Sequence, residues 1–168
     1  SLSEVGACTV AEAALRSPHP DFTIMPITDH GSPRRAVVLW TGGLDSRLAA
    51  EVLREQGIDI LPLVLDHPYI NASAIVETAR FAGYEPVRYE FTPRMVKIFE
   101  HCTLPADEPT DLEVACRAEM VKTACELLGE LGCDFVGTGE VLNQRKPEQS
   151  LETLQTIQSY VGKAGNLI

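Results

Sequence analysis

Positive charge is scarce in this sequence: 14 lysines and arginines stand against 24 aspartates and glutamates, for a formal net charge of -10. Nucleic-acid binding rests on many cationic contacts to phosphate, so this chain by itself is no electrostatic trap for RNA or DNA. An RNA substrate would have to be held by another domain or subunit. Long apolar runs are missing as well. No stretch approaches the ~20 residues that span a bilayer, and no basic segment followed by an apolar one marks a secretory start. A cytoplasmic protein with no membrane partner is the expectation. The five cysteines (Cys8, Cys102, Cys116, Cys125, Cys133) are odd in number and form no C-x-x-C pair. That leaves no visible zinc or iron–sulfur motif and favours reduced thiols over a disulfide framework. With no internal repeat, low-complexity tract or linker, 168 residues at 45% apolar content read as one globular domain with a real core.

What is present centres on residues 37–50. Val37, Val38, Leu39 and Trp40 form a short apolar run that breaks at Thr41-Gly42-Gly43, and Leu48, Ala49, Val52 and Leu53 then recur at helical spacing. The pattern predicts strand, tight loop, helix. Glycine reaches φ > 0 and carries no Cβ, so two in succession let backbone N–H groups turn toward an anion. The following helix aims its unpaired N–H groups and positive dipole end at the same point. A phosphate suits such a corner; the plain alternative is an ordinary Gly-Gly turn.

Strand and helix alternate from Ala36 onward. The first helix runs to about Gln56, with Gly57 at its C′ position, and residues 60–65 read as a strand buried on both faces. After the loop Asp66-His67-Pro68, Asn71 caps a helix carrying Ile75, Val76, Ala79 and Ala82 that stops at Gly83. Residues 86–91 alternate as a third strand, and Thr92-Pro93 opens a short helix through about Cys102. Thr110-Asp111-Leu112-Glu113 forms a capping-box pattern ahead of a helix that is apolar on two sides and runs to about Leu131. Residues 132–140 read as turn, short strand and loop, and Pro147 and Ser150 introduce a last helix with Leu151, Leu154, Ile157 and Val161. Residues 1–35 read as an appendage, with a capping box at Thr9-x-x-Glu12, a break at Ser17-Pro18-His19-Pro20 and an edge strand over 22–27. The nucleotide-binding domain is then 36–168. Such alternation implies right-handed crossovers and a parallel sheet with helices on both faces, whose ligands bind beyond the C-terminal strand ends. The loops at 41–46, at Asp66-His67 and at Thr138-Gly139-Glu140 are therefore expected to converge on one cleft.

Thr41-Gly42-Gly43-Leu44-Asp45-Ser46 resembles the S-G-G-x-D-S signature of the PP-loop ATP pyrophosphatases, with Thr41 in place of the usual serine and its hydroxyl kept. The resemblance implies a Rossmann-like α/β fold of the adenine nucleotide alpha hydrolase type. It also implies an enzyme that binds ATP with Mg²⁺, adenylates an acceptor and releases pyrophosphate. In that picture the backbone of Gly42, Gly43 and Leu44 and the hydroxyls of Thr41 and Ser46 cradle the pyrophosphate. Asp45 helps hold Mg²⁺, a hard cation that prefers carboxylate and phosphate oxygens. An acid also suits a helix start by charge alone, and both roles make the same demand on Asp45.

Further along, Cys116, a buried helix, Gly137-Thr138-Gly139-Glu140, Gln144-Arg145 and Gln149 follow an order similar to PP-loop proteins related to the tRNA 4-thiouridine and 2-thiouridine synthases. That similarity implies that Cys116 carries sulfur, that Thr138, Gly139 and Glu140 line the ATP site, and that Arg145 contacts a phosphate. It also implies tRNA and a sulfur donor protein as partners. Two positions depart from the pattern. Glu113 stands where many relatives have a second cysteine, and the Arg-Pro-x-Ser-Gln run appears as Arg145-Lys146-Pro147-Glu148-Gln149. Cys116 falls in the second turn of its helix, where dipole help for a thiolate fades, leaving Arg117 and Lys122 as the cations that would lower its pKa. It equally suits a packed core, as do Cys102, Cys125 and Cys133. His67 follows the second strand and is either a cleft residue or a structural one. ATP-dependent sulfur transfer to tRNA is the leading expectation. Amidation or ligation of a small molecule with ATP, and a non-catalytic nucleotide-binding module, stand as the alternatives.

Overall fold

Strands β1 (Arg35–Leu39) and β2 (Asp59–Asp66) point successive side chains to opposite faces, and both faces are apolar. Val37, Leu39, Leu63 and Leu65 enter one core, while Ala36, Val38, Trp40, Ile60 and Val64 enter a second on the other side. The structure is a computed structural model and describes residues 34–101, 110–140 and 151–161. Among the described residues β3 (Val87–Glu90) and β4 (Phe135–Gly137) join them in a four-stranded sheet of order β3-β2-β1-β4 in which every pair is parallel. The α/β class expected from the sequence is the one observed.

The helices among the described residues are α1 (Leu44–Glu55), α2 (Ala72–Phe81), α3 (Thr92–His101), α4 (Thr110–Leu131) and α5 (Leu151–Val161). Ala50 and Leu53 of α1, with Ala72 and Ala79 of α2, cover one face; Met95 of α3, Ala118, Val121, Ala124 and Cys125 of α4, and Ile157 of α5 cover the other. Crossover handedness explains the division. The chain moves from β1 to β2 to β3 in one direction, then returns to the far flank of β1 to lay down β4. Right-handed connections in opposite directions place their helices on opposite faces.

The ends of the elements follow local chemistry. Gly57 and Gly83, at φ +79° and +87°, close α1 and α2, and the Asn71 side chain accepts the Ala74 N–H at 3.1 Å to open α2. α4 begins at Thr110 itself rather than after it, a one-residue difference from the capping-box expectation. Pro62 lies fully buried inside β2, where proline is rare. Its neighbour Leu63 accepts from Trp40 N–H at 2.9 Å, so residue 62 turns its edge away from β1, toward β3. Pairing with β3 starts only at Leu63 opposite Val87, and the missing N–H costs no ladder bond. The helix after Thr9, the strand over 22–27, Cys8, Cys102, Arg145 and Gln149 all lie outside the described residues.

Candidate functional site

The order β3-β2-β1-β4 reverses direction between β1 and β4, and the loops that leave those two strands flank the place where ligands sit in sheets of this kind. The two loops touch. A Cβ built on Gly139 would lie 2.7 Å from both the Asp45 carbonyl carbon and the Ser46 nitrogen, and 2.9 Å from the Asp45 carbonyl oxygen. Only a residue without Cβ lets the loop after β4 lie against the first turn of α1.

Within the first loop the glycines have different jobs. Gly42 sits at φ +78°, whereas Gly43 is the extended N-cap of α1, at φ -81° and ψ 172°, and no side chain caps the helix. The expectation that both glycines use their conformational freedom is corrected to Gly42 alone. Gly43 leaves the helix end bare because it has no side chain to fold over it. The N–H groups of Leu44, Asp45 and Ser46 lie in the first turn, where no helical acceptor reaches them, and the Arg47 N–H closes the turn on the Gly43 carbonyl at 3.4 Å. Ser46 is 2% exposed; its hydroxyl donates to the Gly43 carbonyl at 3.1 Å and accepts from the Thr41 N–H at 3.4 Å. It therefore shapes the loop from inside, while Thr41, Gly43 and Leu44 form the exposed rim.

The loop is anchored from below. Buried Trp40 donates from Nε1 to the Thr78 hydroxyl at 2.9 Å, and that hydroxyl donates to the Ile75 carbonyl at 2.6 Å, fixing the end of β1 to α2. The Trp40 ring meets Tyr84 edge-on at 5.8 Å, and the Tyr84 hydroxyl donates to Glu51 of α1 at 2.9 Å. Arg54 and then Tyr84 hold the Glu51 carboxyl below its ordinary range, and burial raises the Tyr84 phenol.

On the other side of the sheet, Arg117 of α4 reaches the residue after Gly139. Its Nε–H donates to Glu140 at 3.1 Å, and a second guanidinium N–H reaches the other carboxylate oxygen. Lys122 lies 3.8 and 3.9 Å from Glu119 and Glu126, which also bind Arg94 of α3 at 2.9 and 2.7 Å. The two cations expected to act on Cys116 are thus held against carboxylates. Cys116 itself is half-buried and in no disulfide. Cys125 is buried, its thiol pushed up to about 11 by burial with a contribution from Glu126; burial raises Cys133 too. Both fit the packed-core expectation.

Gly139 joins two of the three expected loops, those after β1 and β4. Asp66 receives the Arg88 Nε–H at 2.8 Å, and its carbonyl accepts the Phe91 N–H at 2.8 Å, which draws the loop after β2 toward β3. The His67 ring packs against Phe91 and Tyr69, at centroid distances of 6.4 and 6.2 Å, with Nδ1 buried and unbonded. Among the described residues no group of three or more His, Cys, Asp or Glu could hold a metal ion. Asp45, the acid in the first turn of α1, could share a hard cation with bound phosphates, since Mg²⁺ commonly takes one or two carboxylates and completes its shell with phosphate and water.

Residues 31–164 match the family model described as Thiamine biosynthesis protein (ThiI). A tRNA sulfurtransferase of Desulfurococcus amylolyticus is 31% identical over 140 residues, which cover 78% of this chain and 28% of that protein. Among solved structures, the crystal structure of a 4-thiouridine synthetase–RNA complex with bound ATP matches with a TM-score of 0.61 at 24% identity, over 76% of this chain and 34% of that one. A predicted subunit of tRNA methyltransferase from Methanocaldococcus jannaschii matches at 0.57 and 18%, over 80% of this chain and 66% of that one. Both structural likenesses are of fold. The chain spans 28% of the length of the curated relative.

Proposed function

The chain belongs to the ThiI family of the PP-loop superfamily, and from that premise we propose that it is the ATP-using part of a tRNA sulfurtransferase. In this role residues 36–168 form the nucleotide domain and residues 1–35 an appendage. The contact of Gly139 with the Asp45–Ser46 peptide carries the proposal, because it joins the loops after β1 and β4 into one corner with a bare helix N-terminus.

ATP bound there supplies an adenylyl group that turns a base carbonyl oxygen into a leaving group for sulfur. The chain contributes placement and charge. The N–H groups of Leu44, Asp45 and Ser46 and the positive end of α1 face the pyrophosphate, with Thr41 on the rim and Gly42 making the turn. Asp45 would hold Mg²⁺, which would offset the phosphate charge. Thr138, Gly139 and Glu140 form the opposite wall, Arg145 meets a phosphate, and Cys116 carries the sulfur received from a donor protein. Support for tRNA as acceptor comes from the relative described as a tRNA sulfurtransferase and from the structural neighbour, which holds RNA and ATP. A net charge of -10 favours RNA held by another domain or subunit.

Nucleotide products test the proposal. The chain, together with the domain or subunit that holds RNA, is incubated with Mg-ATP and bulk tRNA, and separately with a pool of small metabolites. AMP and pyrophosphate formed only with tRNA are the expected result. Formation only with metabolites would reassign the chain to small-molecule ligation, and ATP binding without turnover would make it a non-catalytic module.

A further inference from the structure

One side chain from the far face of the sheet is built into the wall of the nucleotide corner. Arg117 and Glu140 meet through two guanidinium N–H donors, and their side chains are only 16% and 28% exposed. Glu140 follows Gly139 directly, and Gly139 lies on the main chain of Asp45 and Ser46. The chain of contact runs from α4 through Arg117, Glu140 and Gly139 to the first turn of α1. We propose that Arg117 is a positioning residue of the nucleotide site, acting through Glu140 in two ways. It pins the loop after β4 onto α1, and it neutralises a carboxylate beside a corner meant for phosphate.

Both effects follow from charge and geometry. Taking the Arg117 guanidinium from a partly buried carboxylate is costly, and Glu140 without that charge beside it would repel an incoming polyphosphate more strongly. The guanidinium fork fixes the carboxylate in orientation as well as in charge, which a lysine at 117 would do only in part. Its effect on ATP rests on the ATP-binding role proposed above; its effect on the loop does not.

Two measurements on the full chain separate these. In the first, without nucleotide, amide hydrogen exchange is followed at residues 47–50, the first hydrogen-bonded turn of α1. Exchange there is expected to quicken about tenfold in Arg117→Gln and less in Arg117→Lys, as local opening is released. In the second, ATP affinity is measured for Arg117→Gln, Glu140→Gln and the double variant. Arg117→Gln should bind about tenfold more weakly, and adding Glu140→Gln should restore the part of the loss that comes from the bare charge, the non-additivity expected of a coupled pair. Unchanged exchange in both position-117 variants would overturn the latch. A double variant as weak as Arg117→Gln would overturn neutralisation of Glu140, because that variant carries no bare carboxylate and lacks only the latch. If the unaltered chain binds no ATP, the ATP role fails while the exchange result still decides the latch. Arg117→Lys, which keeps the charge, stands in should Arg117→Gln fail to fold.

Discussion

Gly139 packs against the main chain of Asp45: a Cβ at position 139 would stand 2.7 Å from the Asp45 carbonyl carbon. The obstacle is backbone, with no flexible side-chain end to swing aside. One of the two loops must shift to admit any larger residue.

Gly139→Ala should therefore lower stability by about 1–3 kcal/mol, the usual cost of overpacking, and weaken ATP binding because the two walls of the corner separate. Thermal unfolding and calorimetric titration with ATP check both effects. Wild-type values in each would mean that the loops do not meet in solution.

Substitutions in the other loop should separate its two glycines. Gly42, at φ +78°, would force alanine into the left-handed region at about 1–2 kcal/mol, while Gly43 is extended and its Cβ would meet the Thr41 hydroxyl oxygen at an ordinary 3.5 Å. Urea denaturation should rank Gly42→Ala below Gly43→Ala; the reverse ranking contradicts a left-handed Gly42 and an extended Gly43.

Asp45→Ala should abolish AMP formation and leave the fold intact. If Asp45 served only the helix start, turnover would persist and stability alone would fall, by about 0.3–1 kcal/mol. AMP assays beside melting curves tell these apart.

Cys125 provides a pH-dependent prediction. Burial, with a smaller contribution from Glu126, lifts its thiol to about 11 from an ordinary 9.0. Above pH 9 the unfolded chain ionises this thiol and the folded chain does not, so stability is intact below about 9 and declines toward 11. Comparing urea midpoints at pH 8 and pH 10 should show a larger drop in the native chain than in Cys125→Ala. Equal drops would refute a buried thiol. In the same samples a thiol reagent should label half-buried Cys116 before Cys125.

Much of the fold was legible because its signals are local. Strand β1, the glycine break and helix α1 are adjacent in sequence, so hydrophobic period and turn chemistry report them directly, and the resemblance at Thr41 to Ser46 lies in one unbroken stretch. The Asn71 cap and the closing glycines Gly57 and Gly83 were legible for the same reason. The Arg117 partner Glu140 was not legible, because that carboxylate lies beyond the next strand, far from Arg117 along the chain.

By itself, then, the sequence determined the alternation of strand and helix, the buried central strands and the glycine turn that opens α1, since each depends on residues within a turn or two of one another. Only the tertiary structure decided that β4 lies beside β1 on the flank away from β2, that Gly139 closes on Asp45, and that Arg117 reaches Glu140. Those contacts join residues far apart along the chain. Their partners are chosen by how helices cross the sheet, and periodicity in a single stretch carries no record of that choice.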